Sequence, residues 1–255
     1  MSTLGRIAPP LVAGVLIFGT WQLWVGLGDI EDFLLPAPSA IARALVDEWS
    51  TIWPAALATL WSAFAGLVVG AAAAVAMALL TVRFRGLGHG LTPLATVVAA
   101  TPIVVLAPIA NIWFGLLSPL SKISVVAVVT FFPVFVNVSR GLQAVPTNEL
   151  ELMRSYAAGT RATLTQLRVP RSLPLLFTGL KVAASLAMIT TIVAEYFGGS
   201  RRRLGVLISQ QASVVRFDVA WAGIAVACAL ALLLYGAVLL TERLVTPWHD
   251  QASER

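Results

Sequence analysis

Six stretches of predominantly apolar residues, at 8–28, 54–82, 91–116, 120–139, 174–198 and 218–243, constrain this chain more than any other feature. Each reaches about 20 residues or more, the length an α-helix needs to cross a bilayer core. A soluble domain carries roughly a quarter charged residues; here 58% are hydrophobic and 11% charged. The expectation is an all-α polytopic membrane protein with six transmembrane helices, forming one transmembrane domain over residues 1–255. Pro102 and Pro108 interrupt the third stretch, so its existence is better defined than its ends. The first stretch is too long for the apolar region of a signal peptide, and its last part carries Trp21, Gln22 and Trp24 with no small-residue cleavage site after it. The single cysteine, Cys228, lies inside the last stretch, where it offers neither a disulfide framework nor a metal cluster and reads as a packed small residue.

Positive charge collects in the short cytoplasmic loops of membrane proteins. Arg83, Arg85 and His89 follow the second stretch, and Arg140, Arg154, Arg161, Arg168 and Arg171 follow the fourth. The loop at 29–53 instead holds Asp29, Glu31, Asp32, Asp47 and Glu48 against Arg43. This pattern places both termini and the segment 146–174 in the cytoplasm. Trp21, Trp24, Trp49, Trp53, Trp113 and Trp221 then fall near the outer interface, which suits amphipathic rings. Arg201, Arg202, Arg203 and Arg216 run against the rule, because they would face outward. Among them Leu204, Leu207, Ile208, Val214 and Val215 recur at helical spacing. That predicts a short helix, either re-entrant with its apolar side towards lipid or pore mouth, or a plain amphipathic helix on the outer rim.

The segment 146–174 is polar and helix-coded inside an oily chain. Asn148 suits an N-cap after Pro146, and Glu151 three residues on completes a capping-box pattern. Glu149 and Glu151 sit at the positive end of the helix dipole, and Arg154 is placed to pair with Glu151. Leu150, Met153 and Ala157 share one face. The small residues Ala157, Ala158 and Gly159 allow a sharp change of direction. Thr160 is a cap for a second short helix, which Pro170 is expected to end near Val169. Pro174 suits the first turn of the fifth span. The result is a helix–turn–helix outside the membrane, acting either as a lever gripped by a soluble partner or as a solvated connector.

At this segment the chain resembles the permease subunits of bacterial ABC importers, whose cytoplasmic loop carries a Glu-Ala-Ala signature followed by Gly and a distal Leu-Pro. The matching residues are Glu151-Leu152-Met153-Arg154-Ser155-Tyr156-Ala157 and Leu173-Pro174. Leu35-Pro36-Ala37-Pro38-Ser39, Leu106-Ala107-Pro108 through Trp113-Phe114-Gly115, Phe131-Phe132-Pro133, Gly179-Leu180-Lys181 and Ala194-Glu195-Tyr196-Phe197 resemble its nitrate/taurine/sulfonate-type branch. The resemblance runs from about residue 20 to 249. Two departures stand out: Met153 replaces the usual Ala, and Ala157 stands where the family has Gly. Either the turn shifts towards Gly159, or Ala157 keeps right-handed geometry.

The resemblance implies a type I ABC importer permease fold with a cytoplasmic coupling helix, in the inner membrane. It implies two ATPase subunits, a second permease copy (a homodimer by default), an extracytoplasmic substrate-binding protein and the lipid bilayer as surroundings. Glu149, Leu150, Glu151, Met153, Arg154, Ser155, Ala157, Ala158 and Gly159 become the ATPase-coupling residues. The chain itself carries no GxxxxGK[ST] phosphate loop, so no cofactor is expected in it and ATP belongs to a separate subunit. The FFPVFVN and IVAEYF stretches look most like permeases for pyrimidine thiamine precursors or riboflavin, with nitrate, taurine and alkanesulfonates as other branch substrates.

Charges inside a span cost about 2.5–3.5 kcal/mol on insertion scales, so each needs a reason. Lys181 is shallow enough to snorkel or to pair within the bundle. Glu195, roughly 21 Å further along the helix, cannot meet it; Glu195 reads as a satisfied interfacial carboxylate or a gate. Thr101, Asn111, Asn137, Met188, Thr190, Thr191 and Glu195 are the candidate pathway residues. Helix-packing hydrogen bonds are the competing role for the polar ones, and core packing for Met188. Pro102, Pro108 and Pro133 break backbone bonds, which is tolerated beside a cavity, so spans three to five are the expected pathway walls. The chain catalyses no covalent chemistry on this reading. An ion-coupled secondary transporter would show paired carboxylates or an inverted repeat near the midplane, and a membrane enzyme would cluster acids or histidines; His89 and His249 are isolated. The net charge of +5 follows the cytoplasmic loops and gives no reason to expect nucleic acid.

Overall fold

The computed structural model describes residues 3–28, 30–31, 34–84 and 101–247. Arg85, His89, His249 and the first part of the third apolar stretch lie outside the described residues. In chain order the helices are α1 (Thr3–Leu27), α2 (Pro38–Asp47), α3 (Trp49–Arg83), α4 (Ile103–Phe114), α5 (Pro119–Gln143), α6 (Thr147–Ser155), α7 (Thr160–Thr163), α8 (Val169–Tyr196), α9 (Leu204–Ser213) and α10 (Phe217–Val245). Among the described residues the stretches Trp49–Val82, Pro119–Gln143, Thr160–Tyr196 and Phe217–Val245 are long and apolar enough to cross a membrane, and Val12–Leu27 and Val104–Phe114 are shorter apolar helices. They follow the six expected stretches in order.

Local chemistry explains several boundaries. Ser118 accepts the Leu120 N–H at 3.2 Å and Pro119 occupies the first turn, so α5 begins with a side-chain cap and a residue that has no N–H to leave unpaired. Pro170 does not end a helix, contrary to expectation. A π-helical turn, Leu164–Arg168, precedes it, with the Val169 N–H donating to the Leu164 carbonyl five residues back. The widened turn makes room for the proline ring, so α7, the π turn and α8 run on as one helical rod. The loop at 29–53 also holds more order than expected, namely α2 with Pro38 in its first turn.

The core is built by α3, α5 and α8 packed against one another, with α10 on the flank of α8. Gly66 and Gly70 lie one turn apart on α3, and small residues at that spacing let helix backbones approach closely. A Cβ on Gly66 would lie 2.5 Å from the Cβ of Val126, and one on Gly70 would lie 2.3 Å from Oγ1 of Thr130. Val126, Val134, Phe135 and Leu142 of α5 and Ala183, Ala187 and Met188 of α8 belong to the buried core of the bundle. Helix α1 meets the rest through Trp21, edge-on to Trp221 with centroids 5.5 Å apart, and through Gln22, whose Oε1 accepts the Ser39 N–H at 3.0 Å.

The predicted helix around residues 204–215 is α9. Leu204, Gly205 and Leu207 are buried against the bundle, but Val214 and Val215 lie beyond its end and are exposed. It packs on α3, α8 and α10 through its N-terminal half.

Candidate functional site

Two groups of polar residues stand out, one at each end of α8. At the α6 end, α6 begins at Thr147 after Pro146 and has no side-chain cap. The expected capping box of Asn148 and Glu151 is absent, because the cap position falls two residues earlier, on Pro146, and Asn148 already lies within the helix. Nor does Thr160 cap α7; Gly159 holds the cap position with extended geometry (φ −69°, ψ 169°).

The turn after α6 resolves the missing glycine. Ala157 has φ +52°, so it takes the left-handed conformation itself. The Ala157 N–H donates to the Arg154 carbonyl and the Ala158 N–H to the Met153 carbonyl, both at 2.9 Å. That is the Schellman arrangement, which satisfies carbonyls left free at a helix end. Ala157 thus does what a glycine there would do, at a cost of roughly 1–2 kcal/mol, and Gly159 is not the pivot.

Charge ties this segment to the bundle. Arg171 at the foot of α8 pairs with Glu149 of α6. Arg168 donates to the Leu142 carbonyl at the end of α5, at 2.9 Å. The expected Glu151–Arg154 pair does not form among the described residues; both side chains are exposed. Leu150 and Met153 are half-buried, whereas Leu152 is 55% and Tyr156 77% exposed. Those two, one turn apart on the outer face, were not singled out from sequence. Their spacing of four was the available signal, and the choice between two apolar faces was not.

The second group lies at the far end of α8. Glu195 is fully buried, not interfacial. Its carboxylate accepts the Thr59 hydroxyl at 3.0 and 2.9 Å and the Gly205 N–H at 3.0 Å. The Thr59 oxygen in turn accepts the Leu204 N–H at 2.9 Å. Arg203 stands 3.5 Å from Glu195 and donates to the Ala58 carbonyl at 2.7 Å and the Ser62 hydroxyl at 2.6 Å. Lys122, equally buried and missed in the sequence, donates to Asn111 Oδ1, the Leu116 carbonyl and Ser121 Oγ at 3.0, 2.6 and 3.0 Å. Its three N–H groups are therefore all used.

This arrangement explains part of the charge anomaly. Arg203 turns into the bundle towards Glu195, and Arg216 pairs with Glu48 at 2.9 Å. Only Arg201 and Arg202 of that group are exposed without an acid partner among the described residues. Lys181 does not snorkel; it pairs with Glu242 of α10 at 2.8 Å.

The candidate pathway residues are not brought together. Met188, Thr190 and Thr191 are buried in the subunit's own core beside Glu195. Thr191 donates to the Ala187 carbonyl, and the Thr190 hydroxyl has no partner among the described residues. Asn111 reaches the Phe197 carbonyl at 3.4 Å, and Asn137 folds back on the Pro133 carbonyl at 2.7 Å. Thr101 is half-buried at the bend before α4. The open face of α8 carries Thr178, Val182, Ser185 and Ile189, with Ser185 partly covered.

Helices long and apolar enough to cross a membrane, with a braced polar helix–turn–helix at one end of the bundle, make this a polytopic membrane protein. Residues 66–246 match the family of binding-protein-dependent transport system inner membrane components, and the chain belongs to that family. It is 30% identical to the formylaminopyrimidine transport permease protein ThiX of Halalkalibacterium halodurans, over 87% of this chain and 88% of that protein. It is 29% identical to the riboflavin transport system permease protein RibX of Chloroflexus aurantiacus, over 92% and 87%. The taurine transport system permease protein TauC of Escherichia coli is 26% identical, over 92% and 88%. Its fold is similar to a solved amino acid ABC transporter at a TM-score of 0.64 and 17% identity, covering 79% of this chain and 97% of that one. The relatives are transport permeases, not enzymes.

Proposed function

We propose that two copies of this chain form the transmembrane pathway of an ATP-driven importer, with both termini and α6 in the cytoplasm. Two ATPase subunits grip α6, and an extracytoplasmic binding protein delivers a small solute from outside. ATP-driven closure of the ATPases displaces the segment 148–169, and hydrolysis resets it. The observation that carries this reading is the brace of α6: Arg171–Glu149 and Arg168 to the Leu142 carbonyl link it to both α5 and α8. A solvated connector has no need of such links. Glu149, Leu150, Met153 and Arg154 shape and position α6; Glu151, Ser155, Leu152 and Tyr156 meet the ATPase; Ala157, Ala158 and Gly159 set the turn.

The solute we favour is a neutral or aromatic heterocycle, a pyrimidine thiamine precursor or riboflavin, over nitrate, taurine or an alkanesulfonate. ThiX and RibX, whose names carry those solutes, support it. So does the engagement of Lys122, Lys181 and Arg203, which leaves none of these three cations free for an anion. On this reading Thr178, Val182, Ser185 and Ile189 of α8 line the pathway, with Asn137 and Thr101 nearer its edge. Met188, Thr190 and Thr191 stiffen the wall behind.

The test is co-purification of the tagged chain from its native membrane, with ATP hydrolysis assayed on the eluate. An ATPase should accompany the wild type and be lost with Glu151→Lys, which reverses charge on the exposed face. Wild-type protein that carries no ATPase after gentle extraction would sink the proposal.

A further inference from the structure

The helical run Thr160–Tyr196 contains 37 residues, roughly 55 Å of rod at 1.5 Å per residue. Its lower end is held by α6 and α5, as described above. Its upper end carries Glu195, and what Glu195 holds is another helix. The first N–H groups of a helix have no partner within it. In α9 they include Leu204 and Gly205, and α9 has no side-chain cap of its own. Gly205 donates directly to Glu195, and Leu204 donates to Thr59, whose hydroxyl donates to the same carboxylate. A carboxylate at this place also meets the positive end of the α9 dipole. Glycine is what allows the contact: a Cβ at Gly205 would lie 2.6 Å from the Ile192 carbonyl oxygen and 2.8 Å from the Glu195 Cβ. Arg203 closes the cluster from the residue before α9, anchored on α3.

We propose that Glu195 is a positioning residue that caps α9 from α8, so that the two helices move as one unit and a displacement begun at α6 is delivered to α9 at the opposite membrane face. The direction of that signal rests on the importer reading; the α8–α9 clamp does not. A carboxylate that merely filled space would leave α9 in place when removed, because Leu204 and Leu207 would still be buried.

Spin labels at Thr178→Cys and Ser213→Cys, both exposed, in a Cys228→Ala background report the α8–α9 distance within one copy when the labelled chain is diluted into unlabelled chain in the reconstituted complex with its ATPase. With Glu195 present, one narrow distance should persist between nucleotide-free and ATP-trapped states. In Glu195→Ala the distribution should broaden about twofold without nucleotide, as expected when a local unit loses its anchor, and Glu195→Gln, which keeps an acceptor oxygen for Gly205, should recover the narrow form. Thr59→Val removes one bond only and serves where Glu195→Ala fails to assemble; it should broaden the distribution to a smaller extent. A narrow distribution in Glu195→Ala, or in Thr59→Val where the alanine variant does not assemble, overturns the proposal. So does a wild-type distance that changes with ATP. A wild-type complex without ATP hydrolysis would instead overturn the importer reading, while the nucleotide-free comparison still decides the clamp.

Discussion

Ala157 and Val215 lie at opposite ends of the bundle yet hold the same place in the same motif. Each stands two residues past the end of a short helix, α6 or α9, at φ +52° and +63° respectively. Val215 and Arg216 donate to the Ala212 and Gln211 carbonyls, repeating the pattern of Ala157 and Ala158 after α6. Left-handed geometry costs a non-glycine residue roughly 1–2 kcal/mol, and a branched Cβ suffers most. Glycine loses part of that gain through its freer unfolded chain. Ala157→Gly and Val215→Gly should therefore each stabilise the protein by up to about 1 kcal/mol, the valine change more. Thermal unfolding of the detergent-solubilised protein reads this directly; an unchanged or lower midpoint for Val215→Gly contradicts it.

Lys181 and Glu242 join α8 to α10, with side chains 24% and 13% exposed. Removing one partner of a largely desolvated pair leaves the other charge without compensation. Lys181→Ala and Glu242→Ala should each lower the unfolding midpoint, and a double-mutant cycle should show about 1–3 kcal/mol of coupling. Independent, additive losses would mean the pair is solvated in the bilayer-embedded protein.

The Arg171–Glu149 pair is more open, so its contribution to stability is small, about 0–1 kcal/mol. Its predicted role is transmission. Arg171→Glu should leave the unfolding midpoint within a few degrees of wild type while lowering ATP-dependent uptake relative to ATP hydrolysis, and the swap Glu149→Arg/Arg171→Glu should restore the ratio. Uptake and hydrolysis that fall together in the single variant, or a swap that restores nothing, would count against it.

Gly66 and Gly70 are the close approach of α3 to α5. Gly70→Val would drive its side chain into Thr130 Oγ1 and the Ala127 carbonyl, 2.3 and 2.5 Å from a bare Cβ. Overpacking of this kind costs about 1–3 kcal/mol or more, and backbone on one side leaves no flexible neighbour to yield. The expected result is loss of the monodisperse peak in size-exclusion chromatography. Gly236, whose added Cβ meets nothing within 4 Å, should accept alanine without effect.

Hydropathy and local chain chemistry were enough to read the six apolar stretches, the polar segment after the fourth and the short helix near 204, because those signals reside within neighbouring residues. Family resemblance along Glu151–Ala157 and Leu173-Pro174 added the transport class. Side-chain facing was not legible. A membrane helix is apolar all round, so its pattern does not say which side meets the core; Met188, Thr190 and Thr191 are buried, while Thr178, Val182 and Ile189 of the same helix face out. Pro170 misled for a local reason, since a π turn makes room for a ring that an unbroken α-helix would reject.

Composition and local pattern by themselves determined that the chain is a helical membrane protein, that one polar helix–turn–helix follows the fourth apolar stretch, and that the sequence holds no phosphate loop. The tertiary structure alone decided that Glu195 meets Thr59, 136 residues away, and Arg203, and that Lys122 is spent on carbonyl, amide and hydroxyl oxygens. The physical reason is that buried charge must find partners wherever helix packing brings them, and packing brings together residues that no spacing along the chain relates.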